Sequence, residues 1–156
     1  MGRIEKREFT ISEVYNIVSF YIAEVKAQQE GKDSILSHFS NLLNWKLKRN
    51  IDVFQPVVQS FEEHRMQIRD AFVNKWSNDE YSYDNGNGRT VKDEYMDAFA
   101  AEQEVANKKI EEILQDKMEF AINVLDIESE IENIINNLSD VDVWKIDLLM
   151  FMNVND

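Results

Sequence analysis

Apolar residues recur along most of this chain in steps of three and four, the spacing of one helical face. The longest series runs through Leu47, Ile51, Phe54, Val58, Phe61, Arg65, Ile68 and Phe72. Its strict alternation of steps is the seam of a helix packed lengthwise on another. After a turn-rich interval a second series follows: Tyr95, Phe99, Glu102, Ala106, Ile110 and Ile113. Each series has one charged member, Arg65 in the first and Glu102 in the second. Antiparallel arms with Arg65 opposite Glu102 also set Phe72 against Tyr95, Ile68 against Phe99 and Phe61 against Ala106. That register puts the midpoint of the turn between Tyr83 and Asp84, beside the turn-forming run Asp84-Asn85-Gly86-Asn87-Gly88. The pattern predicts an antiparallel helical hairpin over about 43–117, with its tip at about 78–91. Arg65 and Glu102 are its structural seam pair, fixing register at some cost in stability.

The flanking segments have their own signals. Thr10 and Glu13 have the spacing of a capping box. Behind them Val14, Ile17, Val18, Tyr21, Ile22 and Val25 form a helical stripe that ends at Gly31-Lys32-Asp33-Ser34. A short helix or turn over 35–43, capped by Ser40 or Asn41, leads into the first arm. Pro56 interrupts that arm, but the seam stays in phase across it, which predicts a kink rather than a break. Residues 4–11 read as a short strand. Residues 119–125 alternate Phe120, Ile122 and Val124, and read either as its partner or as more helix. Asp126 or Ser129 opens a helix bearing Ile127, Ile131, Ile134, Ile135 and Leu138. Ser139 and Asp142 cap a last helix of Val143, Trp144, Ile146, Leu148, Leu149, Phe151 and Met152, whose broad apolar surface calls for burial or an interface. At the tip, Tyr81-Ser82-Tyr83 and Arg89-Thr90-Val91 flank the Asn-Gly turn and predict a small β-ribbon. The expected fold is thus mainly α: a hairpin packed with N- and C-terminal helices, a ribbon at its tip, and a strand pair of about 4–11 with 119–125.

Composition narrows this picture. One proline and four glycines in 156 residues favour long helices, and the length argues for a single domain over 1–156. The absence of cysteine excludes disulfides and thiolate metal sites. No apolar run approaches the roughly 20 residues of a membrane helix, and the N-terminus lacks the apolar stretch of a signal peptide. The net charge of −13 is uneven: residues 110–156 carry two basic and twelve acidic side chains. Such a surface repels nucleic acid phosphate and argues against DNA or RNA as a direct ligand, and with no membrane-length apolar run a membrane is not an expected partner either. It suits a basic protein surface, or mimicry of nucleic acid on a host defence or nucleic-acid-binding protein.

Candidate chemistry is sparse. His38 and His64 fall in no metal-ligand pattern, and no Glu-x-x-His pair occurs. There is no phosphate-cradling glycine loop, nucleophile elbow or dinucleotide fingerprint. Aligning the tip with a calcium loop puts Tyr83 where the first carboxylate belongs, which argues against calcium. The expectation is a protein that is not an enzyme and takes no cofactor or metal. Its candidate partner-binding residues are Trp76, Tyr81 and Tyr83 near the tip, and Trp144 and Phe151 in the last helix.

A resemblance supplies a context. The run Leu42-Leu43-Asn44-Trp45-Lys46-Leu47-Lys48-Arg49-Asn50-Ile51, the run Phe61-Glu62-Glu63-His64-Arg65 and the Asp-Asn-Gly tip come first. The acidic second arm, the Glu119–Leu125 stretch and the closing Asp147-Leu148-Leu149 helix follow in that order. This succession resembles a family of small tailed-phage proteins classed as a domain of unknown function. The resemblance implies a phage-encoded, non-enzymatic protein that binds protein, in virion assembly or as a virion component. Its place would be the host cytoplasm or the virion. It carries over no site residues.

Overall fold

The computed structural model describes residues 3–138 and 144–155. Helices hold 69% of them, with two small antiparallel strand pairs, so the mainly α expectation stands. The chain divides into two compact units. One comprises Met1–Val58 and Lys117–Asp156, and the other is the intervening Gln59–Asp116.

In the first unit, β1 (Arg3–Thr10) pairs antiparallel with the strand Lys117–Val124, from Arg3 opposite Val124 to Thr10 opposite Lys117. The expected strand pair is therefore present, and 119–124 belongs to a strand rather than a helix. Thr10 then caps α1 (Ile11–Gln29). Its hydroxyl accepts the Glu13 N–H at 3.1 Å, and the Glu13 carboxylate accepts the Thr10 N–H at 3.0 Å, the reciprocal box that the sequence predicts. A turn of 3-10 helix (Ile35–His38) follows. The buried Glu24 carboxylate fixes it, accepting from Ile35 N–H at 2.9 Å and meeting Lys145 Nζ at 3.0 Å.

α2 (Asn41–Trp76) opens with the Ser40 hydroxyl accepting Leu43 N–H, and it continues through Pro56 as one helix. Its residues up to Val58 belong to the first unit. There Leu43, Leu47, Ile51 and Phe54 enter the core beside Val14, Val18, Ile122 and Val124. Phe54 is fully buried, with rings of Phe9, Phe120 and Phe151 at 5.6, 5.0 and 5.8 Å. Such edge and tilted contacts add to plain area burial.

The rest of α2 lies in the second unit. There β2 (Ser82–Asp84) and β3 (Arg89–Val91) form the expected ribbon. In its turn the Asp84 and Asn85 side-chain oxygens accept the N–H groups of Gly86 and Asn87. Gly86 has φ +91°, a left-handed conformation that costs glycine little. α3 (Met96–Gln115) completes the unit. The strand Lys117–Val124, now β4, returns the chain to the first unit. Asp126 caps α4 (Ile127–Ile134) by accepting the Ser129 N–H at 3.1 Å. Where a last helix is expected, the described part is a 3-10 segment, Trp144–Met152. The predicted cap at Ser139 and Asp142, and Val143, lie outside the described residues.

Candidate protein-binding surface

The second unit is organised by five aromatic rings at the meeting of α2, the ribbon and α3. Phe72 lies 5.2 Å from Phe99, Trp76 lies 5.3 Å from Phe99 and 5.2 Å from Tyr81, and Tyr81 lies 5.0 Å from Tyr95. Trp76 is 5% exposed, and a buried indole needs an acceptor for its N–H. Glu102 supplies it, accepting from Trp76 Nε1 at 3.0 Å and pairing with Lys75 through its other oxygen. Lys75 also lies 5.1 Å from the Trp76 ring centre. Its ammonium, with help from the indole N–H, holds the Glu102 carboxyl below the ordinary carboxylate range. In return Glu102 raises the Lys75 ammonium above its ordinary value.

These contacts correct the predicted register. Arg65 does not meet Glu102: it pairs with Glu62 on its own helix at 2.5 Å and stacks over Phe61. Phe72 meets Phe99 instead of Tyr95, one helical turn further along. The cause is Trp76, whose N–H draws Glu102 toward the end of α2, while Arg65 is satisfied locally.

The partner-binding candidates separate in the same way. Trp76 is withdrawn from solvent, which contradicts a direct partner contact, and its i, i+4 spacing from Phe72 is the sequence sign of inward packing. Tyr81 is half-buried against Trp76 and Tyr95. Tyr83, 51% exposed on β2, stays available. In the first unit, Trp144 is 57% exposed, whereas Phe151 is half-buried with its ring packed on Phe9 and Phe54.

Along α2 and α3 the apolar stripe is only half covered. No residue of α3 is buried, although Phe99, Ala106, Ile110 and Ile113 share one face. Two grooves flank the line from Phe72 to Ala106. One, of about 560 Å³, has His64, Lys75, Val105 and Lys109 at its walls. The other, of about 390 Å³, has Arg65, Met66, Arg69, Val73 and Ile110. Basic groups thus rim both grooves in a chain of net charge −13. Sequence reading missed Met66, Arg69 and Val73. Their signal is a second stripe on α2, displaced from the seam but keeping helical spacing. The chain matches no known family model, no curated protein and no solved structure.

Proposed function

We propose that this chain is a non-enzymatic, phage-encoded protein-binding or structural protein, acting in virion assembly or as a virion component. Its place is the host cytoplasm or the virion, its partner is a protein or a second copy of itself, and it uses no cofactor. The working element is an antiparallel helical hairpin made of α3 and the part of α2 after Val58. The ribbon forms its tip, and the terminal helices pack in the other unit. The contacts Phe72–Phe99, Trp76–Phe99 and Lys75–Glu102 support this topology.

One observation carries the reading: the apolar stripe of α3 has no buried member in the chain alone. Two helices that leave their stripes half wet gain from a further protein surface, because most helix stability in proteins comes from burying such a face. The polar groups along the grooves support binding over chemistry. Glu102 and Lys75 spend their charge on each other and on Trp76 rather than converging on an open point. The order of the Leu42–Ile51, Phe61–Arg65 and Asp-Asn-Gly segments supports the phage context.

The test is capture with tagged full-length protein from phage-infected cells, together with mass spectrometry of purified particles. A virion or assembly protein should be retained by the wild type and lost with Val105→Glu plus Ile110→Glu. A strictly monomeric chain that retains nothing and is absent from particles would overturn the reading.

A further inference from the structure

Met66, Arg69, Asp70 and Val73 are spaced i, i+3, i+4 and i+7, so they share one face of α2. All four are exposed, Met66 at 56% and Val73 at 46%. Among the described residues neither Arg69 nor Asp70 has an ion-pair or hydrogen-bonding partner within the chain. The face reads apolar, basic, acidic, apolar. Run antiparallel against itself, it is its own complement.

We propose that two copies of this chain dimerise along this face, their α2 helices antiparallel about a twofold axis passing between Arg69 and Asp70. Position 66 of one copy then meets position 73 of the other, and position 69 meets position 70. The dimer gains two apolar contacts and two crossed ion pairs from a single register, the isologous arrangement a twofold requires. The groove beside the face, floored by Phe72 and Ala106, receives the apolar side chains of the second copy. Charge decides between occupants. An acidic helix from another protein would answer Arg69 but would leave Asp70 facing like charge. A second copy answers both signs, and like charges across such a contact would be unfavourable.

This deepens the protein-binding reading and rests on it. Sedimentation of the full-length protein across a wide concentration range tests it with three variants. Arg69→Asp and Asp70→Arg each place like charges opposite one another twice, and should weaken the dimer by at least about tenfold. The double variant Arg69→Asp plus Asp70→Arg restores both crossed pairs and should return the dissociation constant to within about threefold of wild type. All four positions are exposed, so circular dichroism should report an unchanged fold. A monomeric wild type, or a dimer indifferent to the single reversals, overturns the proposal. A monomer that still captures a foreign protein leaves the broader reading standing; one that captures nothing removes both.

Discussion

The Asn50 carboxamide binds the backbone of Asn123 twice, accepting its N–H at 2.7 Å and donating to its carbonyl at 2.9 Å. β4 thereby gains, from a helix side chain, the two hydrogen bonds that a neighbouring strand would have supplied. Just past the end of that strand, Leu125 N–H donates to Met152 O and Val154 N–H donates to Leu125 O, both at 3.0 Å. Helix α2 and the C-terminal segment between them cover an edge that would otherwise stand open.

Asn50 is fully buried, so Asn50→Ala strands two backbone groups away from water. The expected cost is about 1–3 kcal/mol, read as a lower urea midpoint without change in slope. Asn50→Asp keeps the acceptor but turns a carboxylate toward a carbonyl, so it should be worse at neutral pH than in acid. Equal stability of all three proteins would remove the clamp from this account.

Phe54 is the ring common to Phe9, Phe120 and Phe151, and it joins α2 to both strands of the terminal pair and to the closing 3-10 segment. Phe54→Ala should cost about 3–5 kcal/mol, the range for a large cavity in a packed core. Val53→Ala, on an exposed side of the same helix, should leave the unfolding midpoint within experimental scatter. Chemical unfolding of the two variants side by side checks the contrast.

The Lys75–Glu102–Trp76 group sets a pH window. The Glu102 carboxyl is held below its ordinary value near 4.5, so its contribution is full above that pH and fades as the pH falls through the lowered value. Lys75 is raised above 10.5, so its share is present below that pH and is lost at higher alkalinity. Glu102→Gln keeps an acceptor for the indole and loses the charge. Its melting temperature should fall below that of wild type at neutral pH, and the gap should close in acid. A gap that is constant with pH would show that the carboxylate's charge does no stabilising.

Much of this was legible in the residues themselves, because local rules decided it. Thr10 with Glu13 announced the first helix, Asn85-Gly86 the ribbon, and the alternation of Phe120, Ile122 and Val124 a strand. Register was not legible. In a seam of three- and four-residue steps, a slide of one turn still sets apolar against apolar, so the pattern hardly separates neighbouring registers. The indole N–H of Trp76 made the choice, and Arg65 found Glu62 close by. Asn50 was readable in principle. It continues the stripe Leu43, Leu47, Asn50, Phe54, where a lone amide calls for a buried partner. That the partner is the backbone of Asn123 depends on tertiary contact, which no spacing reveals.

The central claim is that the exposed face of α2 is a protein-docking surface, and crosslinking reads it most directly. A photo-reactive residue in place of Val73 in the purified full-length protein should give a covalent dimer on illumination. Its crosslinked peptide should be the segment around Met66 of the second copy. The same residue in place of Ile22, exposed on α1 of the other unit, should give little. Equal yields at the two positions, or a Val73 adduct that maps anywhere other than α2, would contradict the account.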